Sequence, residues 1–366
     1  MIIGVSWGSL PAEGQQEWTR LSCDAVLRGE RPPPRQAWFQ PPVQREYTPD
    51  PAFAREYNRR LDTALAERRV TPSRRLRKAA SPESLVVAVC ASTTSRGLRN
   101  ISRLDQLTLF NIMVPSLVQT LLATPARDVD AASGGTGLPF ELWIYIAFDS
   151  GDAFYDNPRQ EAAIGLWLDE KVVRPLAARG IVARHCMLRF SNVMRKPGPS
   201  FNFMMAAAAE DGADYLYRIN DDTQFVDVWL PVALHTLRTF DPPNVGVVGP
   251  TCREGNTKIL THDLVHRTHL AIFEHYYPPV LSDWWMDDWI TRVYSASTLA
   301  SSLGVDRQRM SRAPFLVRHR VDIHGTRYQV DHSHETALVG ELAIGLRTLG
   351  SWLQARAGAS KATLSG

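Results

Sequence analysis

The sequence predicts an α/β protein built on a mostly parallel central sheet flanked by helices. Strand-length segments rich in apolar residues recur along the chain, at residues 85–90, 140–148, 181–190 and 215–219, and 85–90 is a continuous apolar run. Such continuous runs are typical of strands buried on both faces. Segments with helical periodicity separate them, and this regular alternation favours a parallel, Rossmann-like sheet. Polar residues follow several runs, at the sheet edge where ligands of such folds bind.

The bulk composition is that of a globular protein. Of the 366 residues, 44% are hydrophobic and 22% charged, which is enough for a substantial core. A net charge of +3 gives no reason to expect nucleic acid as a partner. The four cysteines form no C-x-x-C pair, which argues against structural zinc. No apolar run reaches the ~18–20 residues of a membrane span. We therefore expect a soluble cytoplasmic protein, or one of the secretory-pathway lumen if an anchor is missing.

Residues 1–80 differ in composition from the rest of the chain. They include the proline-rich stretches 31–35 and 40–42 and the basic cluster 74–78. Such prolines favour extended backbone. Residues 52–69 have apolar side chains every four residues and predict one amphipathic helix. We interpret 1–80 as an extended N-terminal arm or stem, with the main domain at 81–366.

The ends of the first three strands carry candidate nucleotide-binding groups. Thr93, Ser95 and Arg96 follow the first strand; their hydroxyls suit a base or ribose, and the guanidinium suits phosphate. The alternative is a helix N-cap cluster for a helix over 102–122. Asp149 ends the second strand and could contact ribose hydroxyls, or simply form a turn. A basic loop with Lys196 leads into a helix over 201–210, and helix N-termini favour anions.

Asn220, Asp221 and Asp222 directly follow the fourth strand. Adjacent carboxylates at a strand end suit a hard divalent cation such as Mg²⁺ or Mn²⁺. In isolation such a triplet is more often a turn, because Asn and Asp are ordinary turn residues. The order of the surrounding features makes the metal interpretation the better one.

Polar and aromatic residues are densest over 261–289. Aromatic faces beside hydrogen-bonding groups suit a sugar acceptor, and they are also common at interfaces. The spacing of histidines at 262, 266 and 269 is compatible with one helix face, either as structural side chains or as a zinc site. Asp288 begins a predicted helix over 288–299, where a carboxylate can cap the helix or act as a general base. Residues 313–330 predict a β-hairpin, and 337–356 a C-terminal helix.

Taken in order over about residues 84–335, these features resemble the GT-A fold glycosyltransferases. Asn220-Asp221-Asp222 is similar to the D-x-D motif, with asparagine in its first position. The segment 246–250 resembles the glycine-containing segment of the donor site. Met286-Asp287-Asp288 is similar to the x-E-D motif, with aspartate in place of glutamate.

The resemblance implies a metal-dependent, hexosyltransferase-like enzyme that moves a sugar from a nucleotide-sugar donor, a UDP-sugar first, to a glycan or glycoprotein acceptor. It implies inversion, with Asp288 as catalytic base. A donor half would cover about 84–225 and an acceptor half about 226–335. The candidate metal ligands are Asp222, Asn220, and His332 or His334. The candidate donor contacts are Thr93, Ser95, Arg96, Asp149, Lys196, Asn202 and Asp221. The candidate acceptor contacts are Asp287, Trp284, Trp285, His262 and Asp263.

Two other functions remain open at this point. A sugar nucleotidyltransferase would also use a nucleotide loop and a carboxylate-bound metal, but residues 91–97 hold only one cation and one glycine. A non-catalytic relative that binds nucleotide or carbohydrate would need neither Asp222 nor Asp288.

Overall fold

The computed structural model describes residues 47–68, 84–125, 140–303, 308–325 and 327–364. The boundary predicted near residue 80 and most of the predicted arm lie outside these residues. Residues Pro49–Gly366 form one compact unit. Within the described ranges, every helix is too short or too polar to cross a membrane.

The strands and helices follow the predicted alternation in the first half of the chain. The strands are β1 (Leu85–Thr93), β2 (Phe140–Asp149), β3 (Val182–Phe190), β4 (Tyr215–Asn220), β5 (Thr223–Phe225), β6 (Val247–Cys252), β7 (Asp263–His266) and β8 (Met310–His319). The helices are α1 (Pro51–Glu67), α2 (Val114–Ala123), α3 (Pro158–Leu168), α4 (Arg174–Ala177), α5 (Pro197–Asp211), α6 (Leu230–Thr239), α7 (Thr268–Phe273), α8 (Trp285–Val293), α9 (Ala296–Leu303), α10 (Val321–His324) and α11 (His334–Leu364). A 3₁₀ turn (Leu104–Gln106) and a π-helical turn (Leu109–Met113) precede α2, and a second π-helical turn (Asp169–Val173) joins α3 to α4.

All eight described strands belong to one sheet, in the order β3-β2-β1-β4-β7-β6-β8-β5. The first four strands in space are parallel. Strand β7 runs antiparallel to both β4 and β6. Strand β8 then pairs parallel with β6 and antiparallel with β5. This mixed sheet flanked by helices confirms the predicted α/β class.

Strand β1 shows why the sheet has helices on both faces. Val87 and Val89 point into one hydrophobic cluster, which also holds residues of α2, α3 and α6. Val86 and Cys90 point into a second cluster, shared with α5, α8 and α11. Because successive strand residues face opposite sides, both sides must be apolar. The near-continuous apolar run 85–90 therefore identified a central strand correctly.

Two elements differ from the sequence predictions. Residues 313–330 do not form a hairpin: β8 is a single strand that pairs with β6 and β5, and a short helix follows it. The histidines at 262, 266 and 269 do not share one helix face, because residues 263–266 form β7 against β4. Both predictions used local patterns, whereas partners distant in sequence set the structure at these positions.

Helix α1 lies within the region predicted as an arm, and it packs against the second cluster. Leu61 and Leu65 contact this cluster. The Tyr57 hydroxyl is 2.7 Å from Asn202 Nδ2 in α5, and the Arg68 guanidinium is 2.8 Å from Glu210. The predicted amphipathic helix is therefore present, and its apolar side covers α5.

Candidate active site

A cleft of about 550 Å³ opens at the carboxyl ends of β1, β2 and β4. The start of α8 and the segment after β8 form its other walls. The cleft collects most of the residues predicted from the sequence: Thr93, Arg96, Asp149, Lys196, Asn220, Asp221, Asp222, Trp284, Trp285, Asp287 and Asp288. The parallel strands produce this arrangement, because their polar ends meet at one edge of the sheet.

One end of the cleft holds a polar cluster around Asp149. The Arg96 guanidinium forms an ion pair with the Asp149 carboxylate. The Asn192 amide Nδ2 donates to Asp149 Oδ1 at 3.0 Å and to the Lys196 carbonyl at 2.8 Å. Asn192 Oδ1 is buried and has no hydrogen-bond partner among the described residues. An unpaired buried acceptor costs free energy unless a ligand donates to it.

Asp221 is held by protein groups on both carboxylate oxygens. The Thr93 hydroxyl donates to Asp221 Oδ2 at 2.7 Å, and the Arg327 guanidinium pairs with Oδ1. Arg327 also donates to the Thr94 carbonyl at 2.8 Å. Burial raises the pKa of Asp221, and Arg327 opposes that rise. Asp221 therefore orients an arginine at the cleft wall, and both its oxygens have protein partners.

Asp222 has a different environment from its neighbour. Its Oδ1 lies 3.1 Å from His319 Nε2. That oxygen makes no hydrogen bond within the described part of the chain. The Asn220 amide nitrogen is also 3.1 Å from His319 Nε2. The ladder between β5 and β8 sets this geometry, because it pairs Thr223 with His319.

The groups beside Asp222 that could ligate a metal ion are its carboxylate oxygen, the His319 imidazole nitrogen and the Asn220 carboxamide. Among the residues that the structure describes, no group of three His, Cys, Asp or Glu side chains is arranged to hold a metal ion. The buried Asp222 oxygen beside an imidazole nitrogen still suits a divalent cation that completes its shell with ligand oxygens. Asp222 and His319 are the two side chains that would hold such an ion, and the Asn220 side chain lies beside them.

Two neighbouring carboxylates of α8, Asp287 and Asp288, face the cleft. Asp287 Oδ1 is 3.1 Å from the Arg218 guanidinium without forming a hydrogen bond. Burial raises the pKa of Asp287 to about 7, against the opposing effect of Arg218. Burial also raises the pKa of Asp288, whose nearest cation is Arg292 at 4.0 Å. A raised pKa makes a carboxylate a better proton acceptor than a solvated one, so both groups are suited to proton transfer.

Two predicted donor contacts lie outside the cleft lining. The Ser95 hydroxyl donates to Asp152 Oδ1 at 2.6 Å and holds the loop after β1. Asn202 is buried in α5, where its amide bonds Tyr57 and both backbone groups of Tyr277. Both side-chain polar atoms of Asn202 are used in tying α1 and the segment before α8 to α5. The structure therefore gives Asn202 a structural position.

The start of α5 also differs from the prediction of an anion-binding helix N-terminus. Pro197 and Pro199 have no N–H group. The N–H of Gly198 donates to the Ser282 carbonyl at 2.8 Å. A Cβ at Gly198 would lie 2.8 Å from Ser282 backbone atoms, so this close approach requires glycine. The helix start is therefore used for packing.

The predicted acceptor contacts His262 and Asp263 are fully buried. His262 bonds the Thr223 hydroxyl at 2.7 Å, and burial holds its pKa well below the usual value. Asp263 accepts hydrogen bonds from the hydroxyls of Tyr276 and Tyr277. Neither residue lines the cleft. Segment 246–250 also lies away from the cleft lining, within and beside β6.

The predicted histidine ligands His332 and His334 are not the histidines beside Asp222. His334 Nδ1 is 3.1 Å from Asp283 Oδ1, and that carboxylate also pairs with Lys196 at 2.8 Å. His332 is exposed, with its ring edge-on to Trp284. His319 takes the position next to Asp222. In the sequence, His319 comes shortly after the apolar residues 313–317. The interpretation of 313–330 as a hairpin gave no reason to place it at the metal site.

Comparisons with known proteins give structural similarity only. No protein-family model and no curated protein matches the chain. The chain is similar to S. aureus TarS 1-349 in complex with UDP-GlcNAc, at 11% identity and a TM-score of 0.41, over 71% of this chain and 66% of that one. The chain is also similar to the UDP complex of the same protein, at 11% identity and a TM-score of 0.38, over 71% of this chain and 65% of that one. A cytidylyltransferase from Leptospira borgpetersenii gives 9% identity and a TM-score of 0.29, over 54% of this chain and 68% of that one.

This chain therefore spans slightly less than two thirds of the TarS 1-349 structures. At TM-scores below 0.5 these similarities carry no functional weight. The proposals below rest on the cleft.

Proposed function

We propose that this protein is a glycosyltransferase with a GT-A-like fold that moves a sugar from a nucleotide-diphosphate sugar to an acceptor hydroxyl. The observation that carries the proposal is the composition of one cleft. It combines a polar end lined by Asp149 and Asn192, the Asp222–His319 pair, and the carboxylates of α8. Sugar transfer needs all three: a nucleotide site, charge stabilisation of the leaving diphosphate and a base.

The nucleotide would occupy the end of the cleft near Asp149. Asn192 lines this end, and side-chain amide and hydroxyl groups can bond the polar edge of a base such as uracil. Asp149 and Thr94 also line this end. A UDP-sugar is therefore the first donor to test.

The diphosphate would lie near Asp222 and His319. A bound Mn²⁺ or Mg²⁺ would supply the positive charge that stabilises the leaving group. Asp222 Oδ1 and His319 Nε2 would hold that ion, with Asn220 beside them. Arg327, which Asp221 orients, would add a second positive charge on the same side of the cleft.

The acceptor would enter along α8, where Trp284 is 48% exposed at the cleft edge. Its ring and that of Trp285 offer apolar faces to a sugar. In this arrangement Asp288 takes the proton of the attacking hydroxyl. The acceptor oxygen then bonds to the anomeric carbon on the face opposite the departing nucleoside diphosphate, and this single displacement inverts the configuration. Asp287 would remain paired with Arg218 and fix the start of α8.

Product analysis tests this proposal directly. The purified protein is incubated with nucleotide sugars, UDP-GlcNAc among them, and Mn²⁺, and released nucleoside diphosphate is measured by chromatography. We expect release from one donor, and Asp288→Asn to lower the rate by about 10²–10⁴, the range for loss of a general base. The matched control Asp105→Asn removes an exposed carboxylate outside the cleft and should keep the wild-type rate.

Two outcomes would contradict the proposal. Full activity of Asp288→Asn would remove Asp288 as the base. Formation of pyrophosphate from a nucleoside triphosphate and a sugar 1-phosphate, without diphosphate release from any nucleotide sugar, would make the chain a nucleotidyltransferase.

A further inference from the structure

The carboxylate of Asp283, directly before α8, joins three segments of the chain. Its side chain is fully buried and does not line the cleft. Oδ2 accepts from Lys196 Nζ at 2.8 Å and from the Asp331 N–H at 2.9 Å, and Oδ1 lies 3.1 Å from His334 Nδ1. A buried carboxylate is tolerated when it is paired and hydrogen-bonded, and both oxygens of Asp283 have such partners.

The contact with Lys196 reaches the end of the cleft near Asp149. Lys196 lines the cleft and is the last residue before α5. Its carbonyl accepts from Asn192 Nδ2 at 2.8 Å, and the same amide donates to Asp149 Oδ1 at 3.0 Å. Asp283 therefore fixes the side chain of a residue whose backbone is bonded to the polar cluster around Asp149.

Asp283 also anchors the first turn of α8. Its carbonyl accepts from the Met286 N–H at 3.1 Å. Trp285 Nε1 donates to the Asp331 carbonyl at 3.2 Å, and the N–H of that same residue is bonded to Asp283. Asp288 follows in this turn and faces the cleft. The place of Asp288 in the cleft therefore depends on how this turn is held.

We infer that Asp283 is a positioning residue for sugar transfer: its ion pair with Lys196 holds the start of α8, and with it Asp288, in register with the donor end of the cleft. This inference rests on the proposed function, which supplies the donor end and assigns Asp288 as the base. A displacement of about 1 Å at a reacting group can cost about 10²-fold in rate. A buried link between the two ends can therefore control turnover without touching either substrate.

Asp283→Asn keeps the size of the side chain and removes its charge. Lys196 would then keep Asp331, whose Oδ2 is 3.9 Å away. With the donor that the wild-type protein turns over, we expect kcat for release of nucleoside diphosphate to fall about 10–100-fold. The Kd of UDP with Mn²⁺, measured by calorimetry, should stay within threefold of wild type, because the groups that would hold UDP stay in place.

The matched control is Glu141→Gln, which neutralises another buried carboxylate. Glu141 pairs with Arg184 at 3.0 Å and does not line the cleft. This variant also breaks a buried ion pair, so its melting temperature should fall as well, but its kcat should stay at the wild-type value. An equal loss of kcat in both variants would show that lower stability reduces turnover, and would overturn the inference.

The double variant Lys196→Met with Asp283→Asn separates position from stability by a second route. Methionine removes the ammonium that lost its partner, so the double variant should melt closer to wild type than Asp283→Asn does. Its kcat should stay low, because the link to α8 is still broken.

Wild-type kcat in Asp283→Asn or in the double variant would overturn the inference and leave the proposed function standing. A wild-type protein that releases nucleoside diphosphate from no nucleotide sugar would refute the proposed function, and this inference with it.

Discussion

Replacing Asp287 by asparagine should change how the stability of the protein depends on pH. Burial raises the pKa of this carboxyl from 3.8 to about 7, although Arg218 lies 3.1 Å away. Between those two pH values the folded protein keeps a proton that the unfolded chain has released. The free energy of unfolding therefore falls as pH rises through this window.

The slope is about 1.4 kcal/mol per pH unit, so the total loss between pH 4 and pH 7 is about 4 kcal/mol. Above pH 7 both states are ionised and the loss stays constant. An asparagine side chain cannot titrate, so the Asp287→Asn variant should not lose this stability. In the variant, Asp263 is the remaining carboxylate that interacts with Arg218, and the guanidinium stays protonated at every pH in this range.

Thermal unfolding of both proteins at pH 5, 6, 7 and 8 measures the effect. From pH 5 to pH 8 the variant should gain about 3 kcal/mol relative to wild type. At about 2 °C per kcal/mol for a large domain, the two melting temperatures should move apart by roughly 6 °C. A difference in melting temperature that is the same at all four pH values would show that Asp287 is ionised in the folded protein throughout, which would refute the reasoning.

Two further variants test the positions that the structure gives to other residues. Asn202→Ala should destabilise the protein by about 2–4 kcal/mol, because it leaves the N–H and carbonyl of buried Tyr277 unpaired. The affinity of the variant for UDP, measured by calorimetry, should stay unchanged. A selective loss of UDP affinity would return Asn202 to the donor site. His319→Ala should weaken Mn²⁺-dependent UDP binding about tenfold, whereas His332→Ala should leave it unchanged. The reverse pattern would favour His332, the metal ligand predicted from the sequence.

The first half of the fold could be predicted from the sequence because its central strands β1, β2 and β4 are buried on both faces. Predominantly apolar segments such as 85–90 and 215–219 allow few other structures, and their polar ends meet by the geometry of a parallel sheet. Thr93, Asp149 and Asp222 were found in this way. Their shared cleft follows from strand order, which the alternation of strands and helices indicated.

The second half was harder to predict because its strands pair across long sequence distances. His319 reaches Asp222 only because β8 pairs with β5, about 95 residues earlier in the chain. Asn202 looks like a ligand contact in sequence, and its role depends on Tyr57 and Tyr277, which no local pattern brings to it. Asn192 belongs to no recognisable motif, and its unpaired oxygen is visible only in three dimensions.

The central claim is that the cleft binds a nucleoside diphosphate through Asp222 and its neighbours. Calorimetric titration of UDP into the wild-type protein and Asp222→Ala, each with Mn²⁺ and with EDTA, tests it most directly. We predict binding to the wild type that weakens at least tenfold in EDTA, and no such metal effect in Asp222→Ala. Equal UDP affinity in all four titrations would contradict the metal site, and absence of binding by UDP, CDP and GDP to the wild type would contradict the donor site itself.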